Sequence, residues 1–313
     1  MRAPIDSRDR APSRRALFLL AVPVGLFGVG WPINKIALAY ATPLWFAAGR
    51  ALLSSAASIV LVVALGQWRW PGKREIPIIV SVGALQLAAF FALTNLGLSL
   101  LPAGRSVVLS STTTLWLVPL ALLTGEPIPP LRWLGVAAGL AGVVVLANPW
   151  ALDWSIPGIA LGHGFLLLAA LGWALAIFQA RRHVWDLSPL QVLPWQMLMG
   201  AALLVPLAAL LEPGGRIEPS LPALGGLFYV GVIAGPLATW AAVSVARDLP
   251  SVVSSLGFLG IPALGLVLST TLLGEQLTWS LTVGSALIGL GVVLAVIKRL
   301  KAPAQAPAGP ARS

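Results

Sequence analysis

Cysteine is absent from the 313 residues, so the chain offers no disulfide, no thiolate metal centre and no thiol nucleophile. Carboxylates are scarce: ten Asp and Glu stand against 20 Lys and Arg, with two histidines. None of the acidic residues falls in the middle of an apolar run. A Ser/His/Asp set or a pair of catalytic carboxylates therefore has nowhere to assemble inside those runs, which argues against an intramembrane enzyme. No metal and no cofactor is expected. Charge as a whole is thin, at 10% of residues, where an ordinary soluble domain carries about 25%. The isoelectric point near 11.4 does not indicate nucleic-acid binding. Such a footprint needs a clustered basic patch, and here Lys and Arg punctuate apolar segments one or two at a time.

Apolar side chains supply the bulk, 58% of residues, with a mean hydropathy of +0.91. A membrane-crossing helix needs about 20 such residues. The pattern predicts an all-α polytopic membrane protein with ten spans: 16–38, 42–66, 75–99, 102–124, 131–148, 158–180, 189–211, 221–246, 250–273 and 279–297. The first follows Arg2, Arg8, Arg10, Arg14 and Arg15. Its length and the lack of a small-residue cleavage site mark it as an uncleaved span, not a signal peptide. With the N-terminus placed inside, 16 Lys and Arg fall in cytoplasmic segments and two, Arg105 and Arg216, in outer loops, while Lys35 and Arg50 lie within spans. The positive-inside rule then puts both termini in the cytoplasm. Residues 1–15 and 298–313 read as basic cytoplasmic tails, the latter Pro/Ala-rich and disordered.

The chain repeats itself. LPAGRSVVLSSTTTLWLVPLALLTGE is matched by LPSVVSSLGFLGIPALGLVLSTTLLGE, and Gly142 of GVVVLA by Gly291 of GVVLAV. Pro43 and Gly49 are matched by Pro194 and Gly200. The offsets run from 148 to 151 residues. This divides the chain into a first repeat at 16–148, a periplasmic linker at 149–157 and a second repeat at 158–297. Five spans per half is an odd number, so the halves enter the membrane in opposite senses. Inverted repeats of this kind are a common plan for carriers, with a central cavity near the midplane.

Gly30-Trp31 with Asn34 and Lys35, Pro43 and Arg50, Pro119 and Gly125-Glu126, Gly172-Trp173-Ala174, and Pro262 with Gly274-Glu275 together resemble the drug/metabolite transporter superfamily, in its ten-helix EamA-type branch. The resemblance covers residues 16–297. Two positions depart from its pattern: Pro32 stands where a small residue is usual, and Ala201 stands where the second half would match Arg50. The resemblance implies a carrier, usually an exporter of amino acids or related metabolites. Within the branch the chain is most similar to the YddG-like aromatic amino acid exporters.

Polar and aromatic residues inside the spans are the candidate substrate contacts, because such groups normally face the bundle interior. Trp31 and Asn34 share a face near the outer end of the first span. Trp31 is either a belt tryptophan or a vestibule wall, and Lys35 either snorkels to the outer headgroups or joins the pore-facing end of the span. Ser110, Thr112 and Thr113 lie roughly 12–18 Å deep, near the midplane, with Trp116 one turn on. Their hydroxyls either line the site or bond back to their own helix. Gln86, Trp173, Gln179, Trp240 and Ser254 complete the set; tryptophans there can hold an amine or stack on a ring. His163 is either a satisfied interhelical hydrogen-bonding group or a titrating one. Arg50, deep in the second span, either binds a substrate carboxylate or holds backbone carbonyls.

The expected function is export of amino acids, aromatic ones included, and related small metabolites across a bacterial inner membrane by alternating access. With no mid-span carboxylate, facilitated, uncoupled transport is expected. The competing readings are proton-coupled drug or metabolite efflux, transport of nucleotide-sugar or lipid-linked substrates, and, outside transport, a membrane receptor or scaffold. The expected partners are a small-molecule substrate and membrane lipids, with the oligomeric state left open.

Overall fold

A computed structural model describes residues 14–122, 125, 128–148, 158–248 and 257–297. The linker at 149–157, most of both tails, Glu126 and Ser254 lie outside the described residues. The fold is all-helical. We number the helices α1 (Arg14–Ala37), α2 (Pro43–Ala64), α3 (Ile76–Leu100), α4 (Ala103–Leu122), α5 (Pro130–Ala147), α6 (Ile159–Arg182), α7 (Pro189–Leu211), α8 (from Leu221 to Asp248), α9 (Gly260–Leu273) and α10 (Trp279–Ile297). Among the described residues the first eight are long and apolar enough to cross a membrane, and two shorter apolar helices follow them. The expected boundaries hold to within about two residues for the fully described helices.

Local chemistry explains where the helices begin and end. Proline opens α2, α5 and α7, where its missing N–H costs nothing. Ser188 and Gln191 form a capping box at the start of α7. Gly274 ends α9 with φ 66°, and Gly125, just past the end of α4, has φ 68°. Both occupy left-handed backbone that glycine adopts without strain. Gly125 and Gly274, paired in the sequence, thus share the same left-handed backbone.

Packing is symmetric when α1–α5 are exchanged with α6–α10. α1 packs on α9 as α6 packs on α4; α3 packs on α6 as α8 packs on α1; α2 packs on α8 as α7 packs on α3. Three further pairs, α2–α7, α4–α9 and α5–α10, each join a helix to its own counterpart. Side chains repeat the pattern. Trp45, near the start of α2, donates its indole N–H to the Glu212 carbonyl beyond the end of α7, at 3.0 Å. Trp195, near the start of α7, donates to the Arg69 carbonyl beyond the end of α2, at 3.3 Å. The α2–α7 pair is thus antiparallel and latched at both ends.

Each half also carries one π-helical stretch, Val82–Ala89 in α3 and Tyr229–Ala238 in α8. π geometry turns carbonyls away from their usual partners. In α8 the Gly231 carbonyl accepts from the Ser54 hydroxyl of α2 at 2.8 Å. Among the described residues the three largest apolar clusters are α2, α3 and α7 around Phe91 and Met197; α4, α5, α6 and α10 around Leu109 and Leu166; and α1, α2 and α8 around Phe46.

One carboxylate is buried at the end of the bundle that carries both chain termini. Glu75, 1% exposed, accepts from the Gly72 amide at 3.1 Å and the Asp186 amide at 3.2 Å. It ties the α2–α3 loop to the α6–α7 loop, beside the exposed Arg74–Asp186 ion pair. Truncation to Ala strands both amides, and a hydrogen bond to a charged group is worth about 1.5–3 kcal/mol. Glu75→Ala is expected to lower the unfolding temperature in detergent by several degrees, and Glu75→Gln by less than half as much. Differential scanning fluorimetry reads both.

Candidate functional site: the middle of the bundle

Three helices bring one cation and three aromatic rings together. Arg50 lies in the eighth position of α2, about 10 Å into its span. Its Cζ stands 4.0 Å from the centroid of the Phe91 ring of α3. Phe91 and Phe90 are 6.4 Å apart, and Phe90 meets Trp173 of α6 edge-on at 4.4 Å. Gly172 permits this approach, since a Cβ there would lie 3.3 Å from the Leu85 carbonyl. Of the residues singled out in the sequence, Arg50 and Trp173 belong to this cluster. Phe90 and Phe91 join them unannounced. Their only signal was an aromatic pair in the middle of a span.

Helix α4 breaks where the Ser/Thr run sits. The Ser111 amide is shared between the Val107 and Val108 carbonyls, and the Thr112 amide bonds back only three residues, to Leu109. The hydroxyls of Ser110, Ser111, Thr112 and Thr113 donate to carbonyls of α4 at 2.7–2.9 Å. They hold the break together and keep lone pairs free as acceptors. One turn on, the Trp116 indole N–H is buried with no partner. In the other half, a turn interrupts the chain at Leu259, just before α9 resumes at Gly260. The two breaks occupy equivalent places in helices that pack on each other. Discontinuous helices of this kind commonly build carrier binding sites.

The other candidates are placed apart. The Asn34 amide donates to the Asn95 carbonyl oxygen at 3.3 Å, and Asn95 donates to the Pro43 carbonyl at 3.2 Å, stitching α1, α3 and α2. Trp31 packs on the α4–α6 cluster. Gln179 accepts from Ser81, toward the terminal end of α3 and α6. Gln86 lies in the π stretch of α3. Trp240 is 38% exposed on α8. His163 donates from Nδ1 to the Ile159 carbonyl at 2.8 Å, leaving Nε2 buried with no partner.

Two expectations are corrected. Lys35 does not snorkel away from the bundle. Its ammonium donates to the Leu98 and Leu101 carbonyls at 2.6 and 2.8 Å, filling the open end of α3. Arg105 is not in a loop: α4 begins at Ala103, directly after Pro102, so Arg105 is in its first turn. Both cations interact electrostatically with Glu275. That carboxylate accepts from the first two amides of α4, Ala103 at 2.6 Å and Gly104 at 2.8 Å. Among the described residues no group of acidic and histidine side chains could hold a metal ion.

The EamA-like transporter family profile matches residues 14–148 and again 160–297. The chain belongs to the EamA-like transporter family. This EamA protein is a multi-pass membrane transporter, and the two matched stretches coincide with α1–α5 and α6–α10. It is 30% identical over 295 residues to an uncharacterized transporter, YvbV, of Bacillus subtilis (strain 168), covering 90% of this chain and 92% of that one. An uncharacterized inner membrane transporter, YedA, of Escherichia coli (strain K12) is 24% identical, over 97% of this chain and 96% of its own. A probable terminal-alkyne amino-acid exporter of Streptantibioticus cattleyicolor is 26% identical, over 76% of this chain and 80% of its own. A solved crystal structure shares the fold, with a TM-score of 0.65 at 22% identity, over 93% of this chain and 100% of that one.

Proposed function

We propose that this EamA protein is an inner-membrane carrier that exports amino acids and related small metabolites by alternating access, without ion coupling. The observation that carries the reading is the pair of broken helices, α4 at Ser111–Thr112 and α9 at Leu259, packed on each other at the centre of a symmetric bundle. Two similar halves of opposite direction can exchange conformations at little net cost, so inward-open and outward-open states have comparable energy. The binding surface combines the Ser/Thr run of α4 and Trp116 with Phe90 and Trp173, a mixture suited to a small zwitterion with an apolar or aromatic side chain. The relative named as a probable amino-acid exporter supports that substrate class. Uncoupled transport is supported by where the described carboxylates stand: Glu75, Asp186, Glu212, Glu218 and Glu275 all lie at helix ends or in loops. The excess of Lys and Arg at the end that carries the termini supports a cytoplasmic location for both.

Counterflow in proteoliposomes with a panel of labelled amino acids tests this. Saturable uptake of at least one is expected, and Trp173→Ala or Trp116→Ala should raise the half-saturation concentration about tenfold, the equivalent of one lost aromatic contact. No uptake across the panel, from protein shown to be folded, overturns the amino-acid reading. An imposed pH gradient should change the initial rate little; strict dependence on it overturns uncoupled transport.

A further inference from the structure

Arg50 is the cation set deepest in its span, and the structure gives it no anionic partner. The ion pairs among the described residues are Arg74–Asp186 and Arg216–Glu218, both exposed and both at bundle ends. No described carbonyl accepts a hydrogen bond from Arg50, whereas Lys35 in the same protein has two. An arginine that only tied helix ends together would be bonded as Lys35 is. Arg50 instead has the π face of Phe91 at 4.0 Å. Its Nε is buried with no partner, while the residue as a whole keeps partial exposure. A cation held so deep in a membrane protein is costly unless something completes it, which makes it a functional site by default.

The second half is informative too. The position that matches Arg50 is Ala201, 1% exposed. Of this matched pair of positions, only the one in the first half carries a cation. A pyrophosphate would call for more than one basic group, whereas a single planar guanidinium matches a single carboxylate in bidentate fashion. The guanidinium carbon stands over the Phe91 ring, which holds the charge at that depth. Phe90 and Trp173 continue the aromatic surface from Phe91, and an apolar side chain would lie against it.

We propose that Arg50, clamped on Phe91, is the anchor for the carboxylate of the transported molecule and selects monocarboxylates over their neutral or cationic analogues. The proposal rests on the carrier reading above and names the chemistry of its site.

Purified protein in nanodiscs is titrated with L-phenylalanine, L-phenylalaninamide and indole-3-acetate by calorimetry, and the same compounds are followed in counterflow. Wild type is expected to bind the carboxylates at least about tenfold more tightly than the amide. Arg50→Gln is expected to lose about tenfold or more for the carboxylates and nothing for the amide, with Arg50→Lys between them because it keeps the charge and loses the fork. A second readout needs no variant. Phenylglyoxal modifies accessible arginines, and saturating indole-3-acetate should slow modification of Arg50, read by mass spectrometry, while Arg69 and Arg74 react unchanged. Carboxylate binding that is unaltered in Arg50→Gln, or Arg50 modified at the same rate with and without ligand, overturns the anchor. Counterflow of amino acids that persists in such a case leaves the carrier reading standing. Arg50-dependent binding of indole-3-acetate by protein that moves no amino acid does the reverse: the anchor stands and the amino-acid reading falls.

Discussion

Gly142→Leu is expected to leave little or no monodisperse protein after extraction, whereas Gly289→Leu, on the same helix pair, is expected to behave as wild type. α5 and α10 cross backbone to backbone. A Cβ added at Gly142 would lie 2.8 Å from the Gly284 carbonyl oxygen and 2.8 Å from the Ile288 amide nitrogen. One turn pair away, a Cβ at Gly135 would lie 2.7 Å from the Gly291 carbonyl oxygen. These are main-chain atoms that cannot rotate aside, so any side chain must push the helices apart along their whole contact. In lipid no hydrophobic force holds helices together, and close packing of small residues takes its place. Overpacking ordinarily costs about 1–3 kcal/mol, and a wedge between two backbones belongs at or above the upper end. Gly289 has nothing within 4 Å of an added Cβ, so it reports the effect of leucine on α10 without the clash. Size-exclusion profiles and unfolding temperatures of Gly142→Ala, Gly142→Leu and Gly289→Leu settle it; equal behaviour of the two leucine variants would show that the α5–α10 contact does not hold the fold.

Glu275→Ala is expected to be the most damaging single change to a charged residue. One carboxylate receives the first two amides of α4, at 2.6 and 2.8 Å, and stands near both Lys35 and Arg105. Its removal strands two donors at a helix start and leaves two cations without their shared counter-charge. The residue is partly exposed, so solvent recovers some of the loss; about 2–3 kcal/mol is expected from two charge-assisted bonds. Glu275→Gln keeps an acceptor for one amide and loses the charge, so it should fall about midway. Because the contact joins α4 to the loop after α9, the two broken helices, transport should fall more steeply than stability. Rate and unfolding temperature measured on the same preparations separate the two. A variant that unfolds at the wild-type temperature and transports at the wild-type rate would remove this carboxylate from any role.

Much of the architecture was legible because membrane physics acts on local sequence. Every backbone group in lipid must be satisfied within its own helix, so each span announces itself as an apolar run of the right length. Pro43 and Pro189 open helices where the runs begin, and Gly274 closes one where a run ends. The repeat was legible for the same reason. Gly142 and Gly291 were matched as sequence, and the structure shows why both are glycine: each lies on the backbone of the facing helix. The π stretches of α3 and α8 were not legible. Their signal is a shift of one residue in hydrogen bonding, and the composition of Val82–Ala89 is that of any apolar helix.

The polar residues divide differently. Sequence alone determined that this chain is an all-helical, multi-pass membrane protein in which one family pattern occurs twice, since length, hydropathy and repeat offset are properties of the chain. It also singled out Lys35, Arg50 and Asn34 as groups that lipid cannot solvate. Only the tertiary structure decided what each one does. Lys35 is taken up by two carbonyls of α3, more than 60 residues away, and Asn34 by Asn95. Arg50 is left with one aromatic face and a buried Nε without a partner. Helical periodicity says which face a residue shares with its neighbours in sequence. The partner across that face is set by how separate helices pack, and that is decided by contacts distributed over the whole bundle.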